Sequence, residues 1–373
     1  MIETRPVRFI LLGGFLGAGK TTALLRLARH YTDLGLRVGI ITNDQAEGLV
    51  DTLAFREAGF TTEEIPSGCF CCHFEKLLEA SGRLADGTEP DIILAEPVGS
   101  CTDLVNAVIT PLKSLYTDRF VVAPYTVLLD PFRAQDALSA TGPTGFSKKI
   151  TYLYKMQQNE ADIIAVNKAD RLDDIQRNAV EALVALNFPK ADVVFLSALT
   201  GEGFYELPPL LDGPGTVGQH PTEVDYAQYT EAEIALGWLN ARVNLSGAAS
   251  WDGNAYLEGL ATSVRDYLAE QGVEIAHFKM RLIDEQGREA AVHLTNNVDA
   301  VAMTRRLDTP LQEGILVINL RAEGSPETLT HATDRALTKV GTLNDVSWVM
   351  KRCDAFVPSP PVPPPAERNT IRI

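Results

Sequence analysis

The chain has 373 residues, of which 45% are hydrophobic and 22% are charged, and its formal net charge is −16. The length favours two domains, and the acidic balance argues against nucleic-acid binding, which needs clustered Lys and Arg. No apolar run approaches the roughly 20 residues of a membrane helix, so we expect a cytoplasmic protein without a membrane partner. Five cysteines, three of them within four positions, are not typical of a disulfide framework and favour a reducing compartment.

Short apolar runs alternate with helical stretches over residues 1–212, and the first helix is predicted at 20–35. The strands are predicted at 7–14, 37–44, 90–99, 125–130, 161–170 and 191–201. Continuous apolar strands separated by helices predict an α/β fold, with a mostly parallel sheet covered by helices on both faces. In such folds ligands bind beyond the carboxyl ends of the strands.

The rest of the chain has a different composition. Residues 213–230 are rich in Gly, Pro and polar residues and are interpreted as a linker. The pattern at 231–356 predicts a smaller α+β domain with an antiparallel sheet. Residues 357–373 include "PSPPVPPP" and are predicted to form a disordered or polyproline-like tail, with a docking role as the alternative.

The segment "GFLGAGKT" at 14–21 fits the pattern G-x-x-x-x-G-K-[ST] between a predicted strand and a predicted helix. Backbone N–H groups of such a loop bind phosphates, aided by the helix N-terminus. Lys20 is expected to reach the β- and γ-phosphates, and Thr21 to offer its hydroxyl to Mg²⁺. A glycine-rich turn with an incidental lysine is the alternative. The nucleotide contacts predicted here are Gly14, Gly17, Ala18, Gly19, Lys20, Thr21 and Thr22.

The segment "NKAD" at 167–170 ends a predicted strand. Asp170 can accept hydrogen bonds from the N1–H and the exocyclic amine of guanine, a donor pair that adenine lacks, so the segment favours GTP over ATP. Asn167 and Lys168 would frame the base. Ser197 and Ala198 of "SALTG" would pack on its other side.

Two carboxylates end predicted strands close to this loop. Glu96 ends "DIILAE" and could hold Mg²⁺ through a water molecule or place the attacking water; a solvated strand-end residue is the alternative. Asp44 ends "ITND" and is a second candidate for the magnesium shell, with a turn or helix cap as its alternative. The predicted catalytic set is Lys20, Thr21 and Glu96.

The segment "GCFCC" holds Cys69, Cys71 and Cys72, and four uses of these thiols are open: a disulfide, a redox pair, buried packing and metal binding. A bond between Cys71 and Cys72 would be strained, and one between Cys69 and Cys71 spans little chain. The C-x-x-C spacing of a redox pair normally belongs to a thioredoxin-like unit. Soft thiolates suit Zn²⁺ or Co²⁺, so we favour metal binding. His73, Glu47, water or a partner protein would complete the site.

The segments "GGFLGAGKTT", "GCFCC", "EPVG" and "NKAD", in this order, resemble the CobW-like metallochaperone GTPases, which are relatives of UreG and HypB. The family's C-x-C-C motif falls on the three cysteines, and its E-x-x-G motif on Glu96 and Gly99. The resemblance implies slow GTP hydrolysis, zinc or cobalt binding, delivery to a client metalloprotein and a nucleotide-linked homodimer. Three features depart from the family: "NDQAEG" replaces its N-E-F-G-E stretch, a His-rich loop is missing, and the second domain is only loosely similar to the usual C-terminal domain.

Three functions follow from these observations. The first is a GTP-hydrolysing metal carrier. The second is a regulatory GTPase switch whose cysteines serve redox sensing or structure. The third is a P-loop kinase acting on a small metabolite, and "NKAD" counts against it.

Overall fold

The structure is a computed structural model that describes residues 5–44, 50–66, 70–138, 145–213 and 215–364. At residues 44, 50–53 and 66 it describes the main chain only. Contacts divide the chain into two compact units. One contains Met1–Ala232 together with Pro360–Ile373, and the other is Glu233–Ser359.

The first unit is built on one parallel sheet. Its strands are β1 Val7–Gly14, β2 Val38–Asp44, β3 Thr61–Pro66, β4 Ile92–Glu96, β5 Phe120–Val122, β6 Thr126–Leu129, β7 Ile163–Val166 and β8 Asp192–Phe195. They are ordered β3-β2-β4-β1-β6-β7-β8, and β5 pairs with β1. The predicted α/β fold with a mostly parallel sheet is confirmed.

Helices cover this sheet. Those of the described ranges are α1 Lys20–Asp33, α2 Val50–Glu57, α3 Phe74–Thr88, α4 Thr110–Leu115, α5 Pro131–Ala137, α6 Lys148–Asn159, α7 Asp174–Asn187 and α8 Leu207–Asp212. In β1, consecutive side chains from Phe9 to Leu12 are all fully buried, because both faces of the sheet are covered. In α1, Leu24, Leu27 and Tyr31 are buried at helical spacing against this core.

Strand β3 does not appear among the sequence-based predictions. It lies at the edge of the sheet, beside β2 alone, and its sequence "TTEEIP" is not a continuous apolar run. Glu63 of this strand forms an ion pair with Arg83 of α3. Charged side chains are common on edge strands, which need only one neighbour, and they hide the strand from a search for apolar runs.

The second unit holds an antiparallel sheet with two helices. Its strands, in the order β12-β11-β10-β13-β9-β14, pack with the helices around one core that contains Leu260, Val264 and Leu337. This confirms the smaller α+β fold. The elements are β9 Gly237–Trp251, α10 Gly253–Glu270, β10 Ile275–Asp284, β11 Glu289–Leu294, β12 Ala302–Arg305, β13 Leu311–Ala322, α11 Pro326–Asn344 and β14 Val346–Phe356.

Helix α9, Tyr226–Ala235, overlaps the end of the predicted linker 213–230. The side chain of Asp225 accepts hydrogen bonds from the N–H groups of Ala227 and Gln228, as a helix cap does. Capping therefore starts a helix where composition alone indicated a loop. Within the described ranges, no helix combines the length and the apolarity needed to cross a membrane.

Candidate functional site

The loop between β1 and α1 has a backbone that requires glycine. Gly14, Gly17 and Gly19 have φ angles of 134°, 78° and 95°. A Cβ atom on Gly14 would lie 2.6 Å from the Leu128 carbonyl oxygen, and one on Gly19 would lie 2.3 Å from Asn167 Nδ2. Left-handed backbone at these positions favours glycine, and the loop leads into the N-terminus of α1, which is the arrangement that binds phosphates through backbone N–H groups.

Lys20 and Thr21 open helix α1 at the carboxyl edge of the sheet. The Lys20 side chain is buried and its Nζ donates to the Gly14 carbonyl at 3.0 Å. The Thr21 hydroxyl donates to Glu96 Oε1 at 3.1 Å. Because β1 and β4 are parallel neighbours, the predicted Thr21 and Glu96 meet although 75 residues separate them. A hydroxyl beside a carboxylate suits Mg²⁺, which prefers oxygen ligands. Thr22 is exposed.

Asn167 connects the phosphate loop with the "SALTG" segment. Its Nδ2 donates to the Ala18 carbonyl at 2.7 Å, and its Oδ1 accepts from the Ala198 N–H at 2.8 Å. The side chain is buried, as is Ser197, whose hydroxyl accepts from the Thr200 N–H. One amide therefore fixes both walls of the predicted nucleotide pocket.

Lys168 and Asp170 have different environments. The Lys168 ammonium forms an ion pair with Asp130 at 2.5 Å. Burial alone would raise the pKa of Asp130, but the charge and hydrogen bond of Lys168 hold that pKa below its ordinary value. Asp170 is exposed on the short turn Ala169–Arg171, so its carboxylate is accessible to a ligand.

The loop that follows Glu96 packs directly on the phosphate loop. A Cβ atom on Gly99 would lie 2.8 Å from Leu16 Cδ2, so only glycine fits there without displacement. Gln157 of α6 donates from Nε2 to the carbonyls of Gly99 and Cys101 at 2.9 and 2.8 Å. The main chain from Gly99 to Cys101 is therefore held by one buried side chain.

Glu160 anchors the next part of this loop. It accepts hydrogen bonds from the Thr102 hydroxyl, the Asp103 N–H and the Val105 N–H at 2.5, 2.5 and 3.0 Å. It is fully buried, and burial raises its pKa to about 7. Asp103, whose pKa burial also raises, accepts from the Tyr226 hydroxyl. Two acidic side chains thus hold the loop.

The cysteine motif is described in part, since Cys69 lies outside the described residues, as do Glu47 and the Asp44 side chain. Cys71 is buried and disulfide-bonded, whereas Cys72 is half-buried and is not part of a disulfide. Their Sγ atoms are 3.7 Å apart, so they are not bonded to each other.

Polar contacts place the motif next to β2. Asn43 Oδ1 accepts from the Phe70 N–H at 2.9 Å, and its Nδ2 donates to the Ile65 carbonyl at 3.1 Å. His73 is exposed at the start of α3. Among the described residues, no three His, Cys, Asp or Glu side chains form a group that could hold a metal ion. The complete ligand set stays a prediction, because it includes Cys69.

Tyr229 of helix α9 lies between the loop after Glu96 and the cysteine motif. Its hydroxyl accepts from the Thr102 N–H at 3.2 Å and lies 4.0 Å from Cys71 Sγ. All three groups belong to the first unit, and Tyr229 is 1% exposed. One buried side chain therefore contacts both the loop after Glu96 and the cysteine motif.

Four residues of this region were missed by sequence reasoning: Asp130, Gln157, Glu160 and Tyr229. Asp130 had a usable signal, because it ends the predicted strand "YTVLLD" immediately before a proline. Gln157 and Glu160 lie in the stretch "QQNEADIIAVNKAD", whose resemblance to the family does not tell what they contact, and Tyr229 had no signal. Each of the three acts on a segment 55 or more residues away.

The fold and the phosphate loop define a P-loop nucleotide-binding protein. The sequence model of the family described as CobW/HypB/UreG, nucleotide-binding domain, matches residues 8–195, half of the chain. The chain belongs to this family, which confirms the resemblance drawn from its motifs.

Similar proteins include zinc chaperone YeiR of Escherichia coli, 28% identical over 174 residues, which are 46% of this chain and 49% of that protein. Zinc chaperone CobW of Pseudomonas aeruginosa is 31% identical over 227 residues, covering 52% and 56% of the two chains. The chain thus spans about half the length of these relatives. The crystal structure of Zn(II)-bound YjiA GTPase from E. coli covers 89% of this chain and 99% of its own, with 16% identity and a TM-score of 0.38.

Proposed function

We propose that the chain is a GTP-hydrolysing metal carrier for a divalent ion such as Zn²⁺ or Co²⁺. It binds the ion through Cys69, Cys71 and Cys72 and delivers it to a client metalloprotein. Membership of the CobW/HypB/UreG family and the similarity to two proteins named zinc chaperones support this proposal. A nucleotide-linked homodimer and a cytoplasmic location stay part of it as predictions.

The nucleotide part of the proposal assigns one task to each group. The loop from Gly14 to Gly19 binds the phosphates, Lys20 stabilises negative charge in the transition state, and Asp170 selects guanine. Glu96 orients the attacking water. Mg²⁺, held by Thr21 with Glu96 and Asp44, would neutralise phosphate charge. We expect a low intrinsic rate, as the family resemblance implies.

One observation carries the link between nucleotide and metal. The loop after Glu96 packs on the phosphate loop at Gly99 and donates from Thr102 to Tyr229, whose hydroxyl is 4.0 Å from Cys71 Sγ. Loss of the γ-phosphate relaxes such loops in other P-loop GTPases. In this proposal, relaxation moves Thr102, displaces Tyr229 and weakens the hold of the cysteines on the ion.

The experiment is a titration of the fully reduced protein with Zn²⁺ and Co²⁺, with either GDP or a non-hydrolysable GTP analogue bound. A variant carrying Cys69→Ser, Cys71→Ser and Cys72→Ser tests the ligands, and Cys353→Ser, an exposed cysteine in β14, is the matched control. We expect one ion per chain, lost in the triple variant and kept in the control, with tighter binding in the GTP-analogue state. Equal affinities in the two nucleotide states would refute the gating step.

The regulatory switch is the second candidate, and the disulfide at Cys71 favours it. In that case the motif responds to oxidation. The thiols that are released when the Cys71 disulfide is reduced do not form a stoichiometric metal site. The same titration separates the two functions. Metal binding that is unaffected by the triple substitution would assign the cysteines to a redox or structural role.

A further inference from the structure

The proline-rich segment after β14 has a regular pattern of burial. Between Val357 and Pro364, the buried residues are Pro358, Pro361 and Pro364, and the others are exposed. A polyproline II helix has three residues per turn, so every third residue lies on the same face. The segment is neither helix nor strand, and its prolines fix φ near the polyproline value. Over its described residues, it therefore packs against the protein with one face.

The contact of this segment is with the cysteine motif. The N–H of Val362 donates to Cys72 Sγ at 3.4 Å, and residues 360–364 belong to the first unit by their contacts. The Val362 side chain is 60% exposed, so its main-chain N–H makes the specific contact. Because its neighbours within 360–364 are all prolines, Val362 carries the single backbone donor of that stretch.

We propose that the surface beside Cys72 is a docking site for a proline-rich strand in polyproline geometry, and that residues 360–364 of the same chain occupy it. A preformed polyproline strand loses little conformational entropy on docking. The covalent tether adds an effective concentration on the order of millimolar, so a weak contact is occupied most of the time. The bound strand covers Cys72 and has to leave before another protein can reach that sulfur.

This inference needs neither GTP nor a bound metal ion, so it stands or fails separately from the proposed function. It is tested on protein with Cys69→Ser and Cys71→Ser, in which Cys72 is the only thiol of the motif. The alkylation rate of Cys72 by iodoacetamide is followed by mass spectrometry. The exposed Cys353 in the same molecule is the internal reference.

Three chains are compared in this background. Ending the chain after Val357 removes the strand, Val362→Pro removes only its N–H, and Val362→Ala keeps the N–H as the matched control. We expect Cys72 to react roughly tenfold faster in the first two chains and at the parent rate in the third. The factor corresponds to a contact that is closed about nine-tenths of the time in the parent chain. Equal Cys72 rates in the parent and both altered chains would overturn the proposal.

A synthetic peptide with the sequence "PSPPVPPP" tests the docking site itself. Added to the chain that ends after Val357, it should restore slow alkylation of Cys72, whereas the peptide with Pro in place of Val should not. The intact chain should bind the first peptide more weakly, because its own strand occupies the site. Absence of binding to the shortened chain, or equal binding to both chains, would contradict the inference.

Discussion

The nucleotide site and the cysteine motif lie in the same unit but are built in different ways. In the nucleotide site, the residues that contact one another belong to recognisable motifs, as Thr21 with Glu96 and Asn167 with Ala198 do. The described contacts of the cysteine motif come from Asn43, Tyr229 and Val362, and the last two lie in segments without a motif.

The difference has a physical origin. A phosphate site uses backbone N–H groups, whose positions follow from glycine conformations and from where a strand ends. Thiol groups are carried by flexible side chains, so their accessibility depends on whatever packs around them. A ligand site made by the backbone can therefore be recognised locally, whereas the control of a side-chain site cannot.

Lys20→Ala should have the largest effect and tests the motif-encoded region. Loss of its ammonium removes charge stabilisation in the transition state, so we expect kcat/KM for GTP to fall about 10²–10³-fold. Lys190→Ala, which removes an exposed lysine next to the opposite ends of the strands, is the control and should behave like the parent chain. An unchanged rate in Lys20→Ala, with an unchanged melting temperature, would remove this loop from catalysis.

Glu160→Gln tests the loop that joins the two regions. Because burial raises the pKa of the Glu160 carboxyl, the folded protein keeps this proton up to about pH 7, whereas the unfolded chain releases it near pH 4.5. The stabilisation from the protonated carboxyl is complete below the pKa of the unfolded chain and is lost as pH rises through about 7. The free energy of unfolding falls by ~3 kcal/mol over this range.

This pH dependence should disappear in Glu160→Gln, because an amide does not titrate. The measurement is the urea midpoint at pH 5 and pH 8. Glu181→Gln, on the exposed side of α7, should keep the parent slope. The same slope in both variants would show that Glu160 is not protonated at pH 5 in the folded state.

Asp170→Ala should change the choice of base. The carboxylate is the predicted acceptor for two guanine donors, and loss of a charged hydrogen bond costs about 1.5–3 kcal/mol, so GTP should bind roughly 10–150-fold more weakly. Binding of ATP should not change, and Asp174→Ala, an exposed neighbour, should preserve the preference for GTP. A parent chain that binds ATP as tightly as GTP would revive the kinase reading.

Tyr229→Phe should have the smallest effect and tests the contact between the two regions. The variant loses the hydroxyl that accepts from Thr102, and one such hydrogen bond is worth about 0.5–1.5 kcal/mol. The ratio of zinc affinities in the GTP-analogue and GDP states should therefore fall about 2- to 10-fold. Tyr205→Phe, which is 76% exposed, should leave the ratio unchanged. An unchanged ratio in Tyr229→Phe as well would place the coupling elsewhere.

Much of the first unit was predictable from local patterns. The bounds of β1 agree with the prediction, and α1 begins at the predicted Lys20, because a run of buried apolar residues, a glycine loop and a helical pattern follow one another directly. Edge strand β3 and helix α9 were not predicted. Strand β3 has one neighbour and contains two glutamates, and helix α9 is started by an aspartate cap. Both elements lack the apolar pattern on which the other predictions depend.

The sequence by itself determined the family, the parallel sheet and the phosphate loop, because these depend on residue spacing within short segments. The tertiary structure alone decided that Glu160 anchors the loop after Glu96, that Tyr229 reaches Cys71 and that the Val362 N–H donates to Cys72. The residues of these pairs are separated along the chain by 55, 158 and 290 positions. Such contacts arise only when packing brings distant segments together, and a single buried hydrogen bond leaves no periodic trace in the sequence.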